Sequence, residues 1–211
     1  MRIILAAALL AALPLVSDAQ TRYSSQPGKS SLKVDGTSTF HDWEMESHVI
    51  GGAIEFAPGV DFDLTKGAIT GLKDGKLPAT VHANMAVSAL HSKAEHLPEV
   101  MDNIMQQHMK AADFPTIRYT VAALSLTNAT PGKPFEFSAT GQLSISGVTN
   151  SVTFPVSIEQ TDPTHLRVKG QYKMKMTDFK IDPPAPHPLG LPTMKCGDDI
   201  TVIFDWILQK R

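Results

Sequence analysis

The soft and borderline donor side chains in this sequence are eight histidines, nine methionines and one cysteine. Six of these eighteen lie in one stretch. Met101, Met105 and Met109 recur every four residues, and His91, His96 and His108 lie around them. Thioether sulfur with imidazole is a soft donor set that selects copper(I). The same repeat is also the ordinary apolar face of a helix, and Met is adaptable filler for irregular apolar space. Core or lumen wall is the simpler account, with copper handling as a rival. His41-Asp42-Trp43 forms a second cluster. Trp43 shares a strand face with Met45 and Val49, and its indole N–H needs an acceptor; it is placed to close one end of a barrel. His41 and Asp42 fit a turn. Cys196 is alone, so no internal disulfide forms, and a buried thiol is the plain expectation. No G-x-S-x-G, H-E-x-x-H, Walker or G-x-G-x-x-G pattern occurs, and Asp198-Asp199 sits where a turn enters a strand. The expectation is a protein that is not an enzyme, with no catalytic residues, no metal site and no cofactor.

The elements that hold these residues are mostly strands. Residues 165–179 alternate: Leu166, Val168, Tyr172, Met174 and Met176 are apolar, while Arg167, Lys169, Gln171, Lys173 and Lys175 are polar. Successive strand side chains face opposite ways, so one face is greasy and the other solvated. Further strands are expected at 32–37, 42–49, 52–56, 69–72, 79–87, 116–126, 135–144, 151–159, 166–177 and 199–208. Turn residues such as Asp74-Gly75, Pro131-Gly132 and Gly147 separate them. Pro155 removes a ladder donor and marks a local break or a free edge. One amphipathic helix interrupts the strands, with Leu97, Val100, Met101, Ile104, Met105, His108 and Met109 at helical spacing and Pro98 in its first turn. The fold class is therefore all-β with one short helix. A sheet closed on itself would enclose an apolar lumen.

Residues 1–19 read as a signal peptide: Arg2 opens a short apolar run, and Ser17 and Ala19 are small residues before a cleavage site after Ala19. Residues 20–30 read as a flexible leader and 31–211 as the β-domain. The Pro-rich segment 183–192 reads as a lid or a plain surface connection. The near-neutral charge, 19 basic against 21 acidic residues, gives no electrostatic reason to expect nucleic acid. Asn128-Ala129-Thr130 matches a short glycosylation pattern that is common by chance.

Four motifs carry a resemblance. Gly36-Thr37-Ser38-Thr39-Phe40-His41-Asp42-Trp43 looks like the opening motif of the YceI-like proteins. Ala112-Asp113-Phe114-Pro115-Thr116-Ile117-Arg118-Tyr119 resembles their helix-end signature, with Phe114 one residue early and Tyr119 in place of Phe. Gly141-Gln142-Leu143-Ser144-Ile145-Ser146-Gly147-Val148-Thr149 and Asp178-Phe179-Lys180-Ile181 are similar to two later elements, in family order. The resemblance implies an extended lipocalin-like antiparallel β-barrel of about eight strands. It implies export to the periplasm and a long amphiphile in the lumen: a polyisoprenoid, an isoprenoid quinone or a fatty-acid derivative. It offers no catalytic residues. Residues expected to line the lumen by alternation are Trp43, Met45, Val81, Met85, Phe154, Tyr172, Met174, Met176, Phe204 and Trp206; the helix adds Met101, Ile104 and Met105. The partners expected are the lipid itself and a transient contact with a membrane or membrane protein, and the oligomeric state stays open between monomer and homodimer. The rival to a carrier is a structural or stress-response interaction module whose barrel is packed with its own side chains.

Overall fold

Ser146 and Gly147 both have positive φ, 50° and 78°, the geometry that a two-residue hairpin turn needs to match the twist of its strands. They join β10 (Phe135–Ile145) to β11 (Val148–Asp162). Asp162 builds the next turn. It accepts hydrogen bonds from the Thr164 hydroxyl and the Thr164 and His165 backbone N–H groups. The Thr164 hydroxyl and N–H hold its carboxyl down to about 2. β12 (His165–Lys175) and β13 (Cys196–Lys210) follow. The computed structural model describes residues 20–26, 28–185 and 194–211; the expected signal segment 1–19 and most of the Pro-rich segment lie outside these.

The remaining strands are β1 (Thr21–Ser25), β2 (Ser31–Ser38), β3 (Trp43–Ser47), β4 (Gly51–Phe56), β5 (Asp61–Asp63), β6 (Ala68–Thr70), β7 (Ala79–Ala86), β8 (His91–Ser92) and β9 (Thr116–Asn128). One helix, α1 (Pro98–His108), lies between β8 and β9. β5 and β6 form a separate small hairpin; the other eleven strands share one sheet. Within it, the circuit β1-β4-β7-β9-β10-β11-β12-β13 closes because β1 pairs with both β4 and β13. This is the eight-strand antiparallel barrel that the resemblance implies. β13 serves two neighbours in tandem. Its residues Leu208–Lys210 pair with β1, and its earlier residues pair with β2, which carries β3 and β8 onward.

One end of the barrel is sealed. Phe135 and Leu208 have no exposure, and Phe56, Phe137, Ile158 and Leu166 have almost none. Tyr23, Phe56, Phe62 and Phe135 form a chain of rings with centroids 5.3–5.9 Å apart, so the β5–β6 hairpin plugs this end with Phe62. The other end carries α1. Asp102 on α1 accepts from the Ser92 N–H at 2.6 Å, and the Met109 carbonyl after α1 accepts from the Ser146 hydroxyl at 2.8 Å. The helix is thus tied to β8 on one side and to the β10–β11 turn on the other. It buries no residue fully, so it lies across the opening and does not fill it.

Four expectations are corrected. Residues 20–30 are not a free leader: Thr21–Ser25 is the strand that closes the barrel, and Tyr23 is 4% exposed. A segment this short and polar shows no alternation, because its stability comes from pairing on both edges. The strand expected over 42–49 ends at Ser47, and Val49 points to solvent instead of sharing the Trp43 face. The strand expected to reach Thr177 ends at Lys175. Asp178 accepts from the Lys175 N–H, and Asp198 accepts from the N–H and hydroxyl of Thr177, which winds Met176–Phe179 into a 3-10 turn. The Thr177 hydroxyl holds the Asp198 carboxyl below its usual range. Finally, residues 91–92 pair with β3 as β8, although their sequence carries no strand pattern.

Pro155 marks a break, as its missing donor predicts. The β11–β12 ladder runs from Asp162↔His165 to Val156↔Gly170 and stops there. Beyond it, β11 remains paired only with β10, and β12 only with β13.

Candidate functional site

Inside the barrel is a cavity of about 1680 Å³. It runs from α1 to the sealed end, and all thirteen residues expected to line a lumen do line it. Height along it can be read from strand register. At the deep end lie Trp206, Val168, Ile158, Ile54, Val81 and Leu124, each at most 6% exposed. The Trp206 indole N–H donates to the Ser25 hydroxyl at 2.7 Å, so its one polar atom is satisfied.

At mid-height four rings gather. Phe154 lies 5.2 Å from Tyr119, 5.2 Å from Tyr172 and 6.1 Å from Phe204, centroid to centroid. The Tyr119 hydroxyl donates to the Ala139 carbonyl at 3.3 Å. Burial, with Tyr172 close by, pushes its pKa up to about 12. Burial also raises Tyr172. Both phenols are therefore neutral at physiological pH, and the ring cluster presents no charge.

Above the rings the wall is partly open to the cavity. Met174, Ile200, Val202, Leu143 and Ile117 line this level. At the mouth, Met45 and Met85 pack with Leu90, Trp43 and Met105. Met176 packs with Ile145, Phe179 and Ile181, against which Met109 and Cys196 lie. Met101 and Ile104 face the cavity from α1. The Trp43 indole N–H donates to the Thr37 carbonyl at 3.0 Å, which meets the need for an acceptor, and its ring lies flat over Gly36. His41 sits in the turn before β3, where its backbone N–H and carbonyl exchange hydrogen bonds with the Ser38 hydroxyl.

Several charges at the mouth are paired. Lys33 meets Glu44 at 2.7 Å and Asp35 at 3.1 Å, and Lys175 meets Asp199 at 2.9 Å. The Glu44 hydrogen bond raises the Lys33 pKa, so the ammonium stays charged. The rim therefore carries charges of both signs and not a one-sign field. His91 is engaged by Asp102 at 2.9 Å, and His108 by the Asp182 carbonyl at 2.8 Å. Among the described residues no cluster of three or more His, Cys, Asp or Glu is placed to hold a metal ion. Burial pushes the Cys196 thiol up, away from the reactive thiolate.

Sequence reasoning missed the β9 and β10 share of the wall, including Tyr119, Val121, Leu124 and Leu143. A signal existed: Ile117, Tyr119 and Val121 alternate. A register shift between Thr140↔Ala123 and Gly141↔Val121 then breaks the period, so Leu124 and not Ala123 continues the inner face.

The sequence model of the YceI-like domain family matches residues 23–207. A search of the curated proteins finds no match. Among solved structures, Burkholderia cenocepacia BcnA is similar at 15% identity and a TM-score of 0.59, covering 87% of this chain and 98% of its own. A polyisoprenoid-binding domain from Saccharophagus degradans, implicated in plant cell wall breakdown, is similar at 12% identity and a TM-score of 0.61, covering 90% and 98%. The Campylobacter jejuni YceI protein is similar at 16% identity and a TM-score of 0.50, covering 79% and 84%. At these identities the structures speak for the fold alone; the family match over nearly the whole barrel shows that the chain belongs to the YceI-like domain family.

Proposed function

We propose that this protein is a periplasmic carrier that holds one long, mostly hydrocarbon lipid in its lumen: a polyisoprenoid, an isoprenoid quinone or a fatty-acid derivative. The observation that carries this reading is a deep cavity of about 1680 Å³, sealed at one end and walled by apolar side chains from Trp43 to Trp206. A barrel packed with its own side chains would leave no such space, since interiors are close-packed and large voids are costly. An apolar lumen of this size instead gains about 0.8 kcal/mol for each CH₂ that a ligand buries. Long hydrocarbon chains are poorly soluble, so loading and release take place at a membrane or another carrier. Binding, not catalysis, is the activity proposed. The similarity to a polyisoprenoid-binding domain supports the ligand class.

Native mass spectrometry of the protein from its own host, followed by lipid extraction, tests this directly. A stoichiometric lipid is expected. Met174→Trp fills the upper lumen and is expected to weaken binding of that lipid roughly tenfold or more, the loss that about 1.4 kcal/mol produces. Its unfolding midpoint stays near that of the parent protein, because the lumen has room. A large fall in midpoint with no lipid ever detected overturns the carrier and favours the packed module. Export is tested by intact mass: the mature protein is expected to begin at Gln20.

A further inference from the structure

Two of the four rings at mid-height lie against glycines. A Cβ added to Gly170 would stand 2.5 Å from the Phe204 ring tip, and one added to Gly141 would stand 2.9 Å from the Tyr119 ring. Gly170 and Phe204 are direct partners in the β12–β13 ladder, and Gly141 neighbours Tyr119 across the β9–β10 ladder. Each missing side chain leaves a recess into which a ring folds, flat against the wall. The rings thus take less of the bore than their size would demand. Phe154 and Tyr172 complete the group. They sit just above Pro155 and Gly170, where β11 and β12 are no longer joined by a ladder, so this part of the wall can give as a chain passes.

Lining exposure changes across this level. Below it, the wall is almost fully buried, with Ile54 and Ile158 each 1% exposed. Just above it, Met174, Val202 and Ile200 are half-buried, and full burial returns only at the mouth, at Met45, Met85 and Met176. The rings thus stand between a tightly packed deep end and a looser upper stretch of one continuous cavity.

We propose that the ring group is a neck, and that Gly170, by letting Phe204 lie flat, holds the neck wide enough for one hydrocarbon chain to reach the deep end. The neck then decides how far a chain penetrates. It passes a slender linear end and stops a bulky one. This inference rests on the carrier reading above and adds a depth selector to it. A chain that passes gains roughly fourfold in affinity for each methylene it buries beyond the neck. A chain that stops gains nothing from further length.

The molecule carries its own reporter. It has two tryptophans, and Trp206 pairs with Val168, two positions deeper than Phe204 with Gly170. In a Trp43→Phe background, Trp206 is the sole indole. Saturated fatty acids and all-trans prenols of graded length, brominated at the tail end, serve as probes, and native mass spectrometry counts bound probe independently. The longer probes are expected to quench Trp206 in the parent bore. Gly170→Ala pushes the Phe204 ring into the bore and is expected to abolish that quenching while probe still binds, with affinity that no longer rises with length. Gly170→Ala/Phe204→Leu removes the displaced ring and is expected to restore quenching. Where Gly170→Ala fails to fold, Phe204→Leu alone carries the test: it is expected to admit a fatty acid tipped with a bulky brominated adamantyl group to Trp206, seen as contact-range quenching absent in the parent bore. Quenching that survives Gly170→Ala at unchanged probe binding overturns the neck, as does quenching by the bulky-tipped probe already present in the parent bore. If no probe of either class binds the parent protein, the carrier reading itself falls, a different result from a neck that does not select.

Discussion

Tyr119 shows how one side chain reports on the whole lumen. Its phenol is buried in the wall and held up to about 12, and Tyr172 and Tyr23 are raised by burial as well. The chain has three tyrosines, so all of them resist ionisation in the fold. In the unfolded chain each titrates near about 10. The neutral phenol is favoured by folding, so this contribution is complete below pH about 10 and is lost as pH rises toward the folded values, about 12 for Tyr119. Absorbance titration at the phenolate band is expected to show no step at the ordinary tyrosine pKa until the barrel opens. Tyr119→Phe is expected to delay alkaline unfolding, and an ordinary titration of all three phenols in the intact fold would contradict the burial. The inner-facing identities of Trp43, Met45, Tyr172, Met174 and Trp206 were legible in the sequence because strict alternation leaves one choice of face. The roles of Gly170 and Gly141 were not. A glycine in a strand has no side chain to signal a face, and only the partner strand shows which ring occupies the space above it.

At the scale of elements, β1 is the instructive case. Five residues, Thr-Arg-Tyr-Ser-Ser, carry too little apolar pattern to be recognised, yet they are hydrogen-bonded on both edges, to β4 and to β13. Tyr23 anchors the strand in the sealed end beside Phe56, at a centroid distance of 5.9 Å. Tyr23→Ala is expected to cost about 3–5 kcal/mol. In a domain of this size that lowers the melting midpoint by roughly 6–20 °C, measurable by circular dichroism. An unchanged midpoint would return the segment to the status of a leader. The break at Pro155 was legible, because a residue without an N–H cannot continue a ladder. Its consequence belongs to the pair of strands: the edges of β11 and β12 beyond Val156↔Gly170 are unpaired. Native-state hydrogen exchange is expected to be faster in 171–175 than in 166–169, by about an order of magnitude or more at amides facing β11, since local opening there breaks fewer bonds. The helix was legible from its spacing, and its position across the mouth was not. That placement depends on Asp102 meeting Ser92 and on the Met109 carbonyl meeting Ser146, contacts between residues that no local pattern connects.

For the molecule as a whole, five strands from β9 to β13 follow one another as antiparallel neighbours, so most of the wall is made of pairings that are close in sequence. The closing pairing is the opposite case. Tyr23 faces Lys210, and the Arg211 N–H donates to the Arg22 carbonyl at 2.9 Å. These contacts span nearly the whole chain, and bringing such distant segments together is the slow kind of step in folding. The tandem use of β13 therefore imposes an order in time. The meander can form first as an open, curved sheet, and β2 and β1 dock on its last strand afterwards. The Tyr23→Ala variant is expected to unfold faster and to refold at nearly the parent rate in stopped-flow chevrons, the signature of contacts made after the transition state. A slowed refolding arm would instead place β1 in the nucleus. Until β1 docks, the future lumen is a trough open along one side, and a hydrocarbon chain can lie in it without passing through any mouth.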